Sequence, residues 1–276
     1  MDRSTFDGFF STLLGGDEAA MLKLFEWMEG MLLTPEVKRD KAIALVGPPG
    51  CGKSAVIEVL RRMLGGGAVL QTAAPQQNVW GRFNGLMENA LVVCIDEVTD
   101  RRLRSWHGEL KMLITDLNIQ VNEQPIRAVR SFHRVMLTTN VDLPFLDGAR
   151  RINKIQCHTP SGDAEAQRAH FAAFYAMLDQ ATPDDLRQAV LSSATRLQWK
   201  MRAFQVEPGE SATAYLKAVA KILNQSGDAN AQAMVSSALL GSWAATNVPK
   251  SSLPADLARL VAASVLRSML ADAGVS

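Results

Sequence analysis

The sequence predicts an α/β fold with a mostly parallel central sheet, flanked by an N-terminal helical segment and an all-helical C-terminal region. Three observations carry this prediction. Short apolar runs alternate with helix-period segments through the first 160 residues, which is typical of strands joined by crossover helices. The run at 42–46 stops at a glycine, as a buried strand does. Beyond residue 160, the only periodicity left is helical.

The individual elements follow in order along the chain. Two helices fit residues 4–33, where apolar side chains recur at helical spacing. The predicted strands are 42–46, 68–72, 91–95, 134–139 and 152–157, and the predicted helices between them are 53–64, 78–88 and about 105–115. A hairpin is predicted from 119–122 and 127–131, with residues 123–126 at or near its turn. Later helices fit 183–203, 211–224, 229–246 and 254–271. We therefore divide the chain into an N-terminal helical segment, 1–40, a core, 41–159, and a helical region, 160–276.

Composition excludes several classes of protein. The chain has 276 residues and is 47% hydrophobic, so it can bury a sizeable core. Its net charge of +1 means that nucleic-acid binding would need a local patch, or several copies of the chain around a pore. Three cysteines fit neither a zinc motif nor a disulfide framework, which favours a reducing cytoplasm. Because there is no signal peptide and no apolar run of about 18 residues, we expect a soluble intracellular protein with no membrane partner.

A glycine-rich loop follows the first predicted strand and opens a predicted helix. It matches the Walker A pattern G-x-x-x-x-G-K-[ST], in which backbone N–H groups cradle phosphate oxygens. Its members are Gly47, Pro48, Pro49, Gly50, Cys51, Gly52, Lys53 and Ser54. In this pattern Lys53 contacts the β- and γ-phosphates and Ser54 is a ligand of Mg²⁺. The sequence therefore predicts a P-loop fold that binds a nucleoside triphosphate.

Polar residues end two further predicted strands. Asp96 and Glu97 follow the apolar run 91–95, and Asp96 lies 43 residues after Lys53. At a strand end Asp96 can hold Mg²⁺ through water, and Glu97 can orient and polarise the attacking water. Asn140 ends the next strand, where a neutral amide can hydrogen-bond both water and the γ-phosphate. A pair of acids suits hydrolysis, because a kinase would not need a second acid to activate water.

Two adjacent arginines, Arg150 and Arg151, follow Asn140 after ten and eleven residues. Such a pair in a loop is often simply solvated. In a ring-forming ATPase one of them can reach a neighbour's γ-phosphate as an arginine finger. The residues alone do not choose between the two.

These motifs resemble those of superfamily 3 helicases, which belong to the AAA+ class of ring ATPases. The resemblance is nearest to the helicase part of phage and plasmid primase–helicases, and it covers roughly residues 20–158. The stretches that carry it are Trp27, Gly30 and Leu33 within 25–33, the segment 82–90 (RFNGLMENA), Leu110-Lys111 with Ile114-Thr115, and Thr138-Thr139-Asn140 with Arg150-Arg151. No such resemblance extends into 160–276.

The resemblance implies a core of five parallel strands and a homo-hexameric ring. ATP and Mg²⁺ would lie between subunits, and single-stranded DNA would lie in the central pore. It further implies that Lys111 approaches a neighbour's nucleotide and that a hairpin at about 119–133 lines the pore. The family often has Lys or His at the hairpin tip, whereas residues 123–126 here are Glu-Gln-Pro-Ile. The candidates for contact with DNA are then Arg127, Arg130 and His133, and a separate primase or replication initiator is a candidate partner.

The leading hypothesis is an ATP-driven helicase or translocase that acts on DNA during replication of a phage, plasmid or related mobile element in a bacterial cytoplasm. An alternative is a AAA+ ATPase that remodels or loads proteins without unwinding nucleic acid. Both would have the same ATP site, so only the hairpin arginines favour the first. A third hypothesis is a nucleotide-dependent assembly scaffold with little turnover, and Glu97 with the arginine pair counts against it.

Overall fold

The computed structural model describes residues 1–121, 127–146 and 149–203. The chain divides into two compact units, Met1–Ala194 and Thr195–Ser276. The sheet, the cleft and the hairpin discussed below all lie in the first unit. The helices predicted at 211–224, 229–246 and 254–271 lie outside the described residues, so the all-helical C-terminal region stays a prediction.

Helices and strands alternate along the described part of the chain. The helices are α1 (Arg3–Leu13), α2 (Glu18–Leu33), α3 (Lys53–Leu64), α4 (Pro75–Asn78), α5 (Asp100–Ser105), α6 (His107–Thr115), α7 (Ala164–Gln180) and α8 (Pro183–Ala203). The strands are β1 (Ala42–Val46), β2 (Val69–Thr72), β3 (Val92–Ile95), β4 (Asn118–Val121), β5 (Arg127–Arg130), β6 (Arg134–Thr139) and β7 (Ile152–Gln156). Short 3₁₀ turns cover Gly66–Ala68, Gly85–Glu88 and Pro144–Leu146.

Five strands form one sheet in the order β2-β3-β6-β1-β7, and all four pairings are parallel. Every residue of β1, β3 and β6 is buried, because the central strands of a parallel sheet are covered on both faces. Strands β1 and β3 are apolar throughout, whereas β6 also contains the buried polar residues Arg134, Thr138 and Thr139. The predicted α/β class with a mostly parallel sheet is confirmed. The carboxyl ends of the strands all meet at one edge of the sheet, where ligands bind in open α/β folds.

The N-terminal helices are joined to the rest of the unit by aromatic side chains. The Phe10 ring lies 4.9 Å from the rings of both Phe6 and Phe25, which links α1 to α2. Phe9 stacks on Phe174 of α7 with ring centroids 3.7 Å apart. All five of these aromatic side chains are 0–1% exposed, so α1 acts as a bridge between α2 and α7.

The predicted hairpin is confirmed in its paired strands. Strands β4 and β5 are antiparallel, with Asn118 opposite Arg130 and Val121 opposite Arg127. This two-stranded sheet is separate from the main sheet. The predicted turn at 123–126 lies outside the described residues.

The helix predicted at 78–88 is wrong. The chain turns back after α4, so tightly that a Cβ at Gly81 would lie 1.9 Å from the Gln76 carbonyl oxygen. Asn84 then donates to the carbonyl oxygens of Val79, at 3.2 Å, and Gln120, at 2.7 Å. These contacts replace helical hydrogen bonds, because a side-chain amide can satisfy the backbone of a turn. The helix predicted near 105–115 is confirmed as α6, and a short helix that was not predicted, α5, precedes it, with Trp106 between the two.

Candidate functional site: a cleft at the carboxyl ends of the strands

A cleft of about 540 Å³ opens at the carboxyl edge of the sheet. Its volume falls within the range of small-molecule sites, which is about 300–1,000 Å³. The residues that line it are Pro49, Gly50, Gly52, Lys53, Ser54, Ala55, Ala73, Asp96, Glu97, Thr138, Asn140, Phe171 and Tyr175. The fold therefore brings residues of the predicted phosphate loop together with the predicted hydrolytic acids and the predicted sensor.

The loop at 47–54 is shaped by its glycines. Gly50 and Gly52 have φ of +75° and +114°, a region that favours glycine because it lacks a Cβ. A Cβ at Gly52 would also lie 3.1 Å from the Phe9 ring and 3.2 Å from the Phe171 ring. Helix α3 begins at Lys53, within the last two residues of the loop. Ala55 donates its N–H to the Gly52 carbonyl oxygen at 3.0 Å, whereas the first N–H groups of a helix, here those of Lys53 and Ser54, have no intrahelical acceptor and are available to an anion in the cleft.

The Lys53 ammonium lies inside this loop and is buried. It donates to the carbonyl oxygens of Gly47 and Pro48 at 2.7 and 2.9 Å, and it lies 3.5 Å from the Cys51 sulfur. A hydrogen bond with the Cys157 thiol, and then the Lys53 charge, lower the pKa of Cys51. All three cysteines are free. The loop thus holds the Lys53 ammonium among two carbonyl oxygens and a sulfur, in the lining of the cleft.

Both carboxylate oxygens of Asp96 are held by neighbouring strands. Thr138 of β6 donates its hydroxyl to Oδ1 at 2.8 Å, and Gln71 of β2 donates its amide to Oδ2. Arg61 of α3 in turn donates to Oε1 of the Gln71 side chain. The two donors fix the direction of the carboxylate, and Arg61 holds Gln71 in place behind it. Sequence reasoning assigned none of them to the site, because their positions depend on β3 lying between β2 and β6.

Glu97 has a strained backbone. Its φ is +54°, the only positive φ of a non-glycine residue in the part of the chain that the structure describes. Its side chain is exposed at the cleft, while the next residue, Val98, is buried and donates its N–H to the Thr138 carbonyl oxygen at 3.0 Å. Strain of this kind costs about 1–3 kcal/mol and concentrates at functional sites. Asn140 faces the same cleft from the end of β6.

The donor set suits a metal ion that is shared with a ligand. Among the described residues, no group of three or more His, Cys, Asp or Glu side chains could hold a metal by itself. Ser54 and Asp96 nevertheless line one cleft, and they supply oxygen atoms. Mg²⁺ is commonly held by one or two protein oxygens, with water and phosphate oxygens completing the shell. The residues present therefore fit Mg²⁺ bound together with a phosphate chain.

Within the loop, Gly47, Pro48 and Cys51 do not line this cleft, and neither do the three residues predicted to reach the nucleotide from elsewhere in the chain, Lys111, Arg150 and Arg151. Arg150 and Arg151 lie before β7, and the Arg151 carbonyl accepts the N–H of Ala42, the first residue of β1, at 2.8 Å. They therefore lie at the amino edge of the sheet, and the five residues of β7 separate them from its carboxyl edge by about 13 Å. Lys111 is exposed on α6. None of the three reaches the cleft of its own chain.

The hairpin is anchored at its base and carries an exposed arginine. Asn84 bonds to the Gln120 carbonyl oxygen of β4, and Ser131 donates its N–H to the Leu117 carbonyl oxygen at 2.8 Å. Arg130 is exposed, with its guanidinium carbon 5.1 Å from the centre of the Phe132 ring. The hairpin lies apart from the residues that line the cleft.

His133 is a correction to the predicted nucleic-acid contacts. Its side chain is buried, with Nδ1 2.9 Å from the Ser131 hydroxyl and Nε2 2.7 Å from the Met87 carbonyl oxygen. Lys38 donates to the same hydroxyl and to the Leu113 carbonyl oxygen. Burial lowers the pKa of His133 to about 4 and the pKa of Lys38 to about 8. Because this imidazole is buried and neutral and both of its nitrogens are hydrogen-bonded within the protein, it is not placed to contact DNA.

Comparison with known families gives one match within the chain. A family model described as a family of unknown function, DUF5906, matches residues 45–151. That segment runs from the end of β1 to the residue before β7, so it contains the loop, both predicted hydrolytic acids and the predicted sensor. No curated protein matches the chain.

Solved structures of the NrS-1 C-terminal region share the fold. The apo C-terminal region of NrS-1 matches with a TM-score of 0.51 at 16% identity, over 98% of this chain and 66% of that chain. The A form of the same apo region gives 0.50 at 16% identity, over 97% and 62%. An inhibitor-bound JCV helicase gives 0.45 at 16% identity, over 75% and 61%. The chain spans slightly less than two thirds of the length of each, and the NrS-1 likeness establishes a common fold.

In residues 1–121, 127–146 and 149–203, no helix combines the length and the apolar character that crossing a membrane requires.

Proposed function

We propose that this chain is an ATP-hydrolysing motor subunit that assembles into a ring, a hexamer by resemblance, and acts on single-stranded DNA. One observation carries the proposal: a single cleft collects the glycine-rich loop, the Asp96–Glu97 pair and Asn140 from three parallel strand ends. Each group was predicted from a separate stretch of sequence. Their convergence supports one catalytic site for a nucleoside triphosphate.

In this proposal the loop binds the phosphates of ATP. Free N–H groups at the start of α3 donate to phosphate oxygens. Lys53 exchanges its two backbone acceptors for the β- and γ-phosphates, which offer a full negative charge in place of neutral carbonyl oxygens. Ser54 and Asp96 would hold Mg²⁺, whose charge offsets that of the triphosphate.

Hydrolysis in this proposal depends on Glu97 and Asn140. The Glu97 carboxylate accepts a proton from water as that water attacks the γ-phosphorus in line, and the bond from the γ-phosphorus to the β–γ bridging oxygen breaks, so that ADP and phosphate are the products. Asn140 bonds to the same water and to a γ-phosphate oxygen, so it aligns the two reactants. The positive φ of Glu97 supports the assignment, because a backbone forced into this region directs the side chain into the cleft while Val98 stays in the core.

Assembly would complete the site. Arg150 and Arg151 lie at the opposite edge of the sheet from the cleft of their own chain, so either one would serve the cleft of a neighbouring copy. Lys111 would approach that same nucleotide. Arg127 and Arg130, on the hairpin, would contact DNA phosphates from several subunits around one axis. The alternative, a AAA+ ATPase that remodels proteins, needs no such contact.

Two substitutions test the catalytic assignment. Lys53→Ala should remove tight ATP binding, because the main charge partner of the phosphates is lost. Glu97→Gln should leave ATP binding intact and slow hydrolysis by roughly a hundredfold or more, because only proton transfer is lost. Equilibrium ATP binding and single-turnover hydrolysis measure the two effects. Lys23→Ala and Glu109→Gln, at residues outside the cleft, serve as matched controls. Normal hydrolysis by Glu97→Gln would show that the base lies elsewhere.

A further inference from the structure

The cleft has two chemically different walls. The strand ends and the loop supply polar groups, whereas helix α7 supplies two aromatic side chains, Phe171 and Tyr175. These two residues are four apart, so they lie on one face of the helix and one above the other. Tyr175 is 39% exposed and Phe171 is half-buried, so both rings keep free surface.

The position of this aromatic wall is fixed by residues behind it. Phe174 lies between the two in sequence, is 0% exposed and stacks on Phe9 of α1. Phe171 contacts Phe9 edge-on, with centroids 6.3 Å apart, and it borders the position that a Cβ of Gly52 would fill. Helix α7 is therefore anchored through Phe174, which leaves Phe171 and Tyr175 to face the cleft beside the loop.

We propose that Phe171 and Tyr175 form the binding site for the base of the nucleotide. The inference rests on the proposed ATPase function. In that function Asp96, Glu97 and Asn140 surround the terminal phosphate, so the sugar and base must extend toward the remaining part of the lining. Apart from the loop residues, which hold the phosphates in this proposal, and Thr138, which bonds to Asp96, that part consists of Ala55, Ala73 and the two aromatic rings.

The chemistry of the wall matches a nucleobase. Every base has a π-face, and stacking on an aromatic side chain is favourable for all of them. Phe171 supplies no hydrogen-bonding group, and Tyr175 supplies only a hydroxyl. The wall therefore contributes affinity by stacking, and the sequence of the P-loop core could not have revealed it.

Binding of ATP and of inorganic tripolyphosphate, each with Mg²⁺, separates the base from the phosphates. In Phe171→Leu and Tyr175→Leu we expect ATP affinity to fall about 5- to 150-fold, the range for loss of one stacking partner. Tripolyphosphate affinity should not change, because this ligand has no base. Tyr175→Phe keeps the ring and should recover most of the affinity lost in Tyr175→Leu. Phe83→Leu removes an exposed ring elsewhere and is the matched control.

The outcomes separate this inference from the proposed function. If the parent protein binds neither ligand, the ATPase proposal fails and the base site fails with it. If the parent binds both and the leucine variants bind ATP as tightly as the parent, only the base site is refuted. An equal loss of affinity for ATP and for tripolyphosphate would also refute the base site, because the aromatic residues of α7 would then affect binding of the phosphates and not of the base. Tyr175 is partly exposed, so its variants test the proposal even if Phe171→Leu does not fold.

Discussion

Replacing Thr138 by valine should raise the Mg²⁺ requirement of ATP hydrolysis. The Thr138 hydroxyl donates to Asp96 Oδ1 at 2.8 Å, and valine keeps the volume of the side chain but removes the donor. A hydrogen bond to a charged group contributes about 1.5–3 kcal/mol. Partners that orient a metal ligand typically change metal affinity or activity by about 10- to 100-fold. Because Gln71 still holds Oδ2, we expect the lower end, an increase of about 10-fold in half-saturating Mg²⁺.

The assay for this prediction is steady-state ATP hydrolysis titrated with free Mg²⁺ at saturating ATP. Thr115→Val is the matched control, since its hydroxyl bonds to the Lys111 carbonyl oxygen on α6 and is remote from Asp96. The combined Gln71→Leu, Thr138→Val variant should need still more Mg²⁺ than either single variant. An unchanged Mg²⁺ requirement in Thr138→Val, in a protein that Glu97→Gln inactivates, would refute the role given to Asp96.

Two further predictions concern acid stability and assembly. Burial lowers the pKa of His133 from 6.5 to about 4, so between these values the unfolded chain binds a proton that the folded chain does not. The free energy of unfolding should therefore fall as the pH falls through this window, by roughly 2–3 kcal/mol between pH 7 and pH 4.5. In urea titrations, His133→Gln should lose this part of the pH dependence. An equal pH dependence in the parent and in His133→Gln would contradict the prediction. A mixture of Arg151→Ala and Lys53→Ala chains should recover some ATP turnover, because some mixed interfaces contain both an intact loop and an intact arginine. Turnover that stays at the level of the separate variants would argue against a finger in trans.

Much of the fold could be predicted because its elements are marked locally. The strands at 42–46 and 134–139 and the helix at 53–64 have the predicted limits, since an apolar run stops at a glycine or polar residue and the loop fixes the helix start. The helix predicted at 78–88, after β2, is wrong for the opposite reason. Its conformation depends on the contact of Gly81 with Gln76 and on the bonds from Asn84 to the hairpin, which no local pattern encodes.

The candidate site, like the fold, could be predicted from the sequence only where its residues belong to a local motif. The loop and the acids could be found because each is a short motif with its own chemistry. Gln71 and Thr138 could not, because their role depends on strand order. Phe171 and Tyr175 were missed because helical spacing of aromatic residues usually indicates a core, and only the packing of α7 on α1 turns them toward the cleft. His133 was misassigned because its place in the interior depends on contacts with Met87 and Ser131.

The central claim is that ATP hydrolysis by this chain is coupled to nucleic acid. The most direct test is the rate of ATP turnover with and without single-stranded DNA, measured on the parent and on the Arg127→Ala, Arg130→Ala double variant. We predict that DNA stimulates the parent strongly, that the double variant keeps basal turnover but loses the stimulation, and that its DNA affinity depends less steeply on salt. If single-stranded DNA does not change the rate of ATP turnover in the parent, the account is contradicted and an ATPase that remodels proteins is favoured.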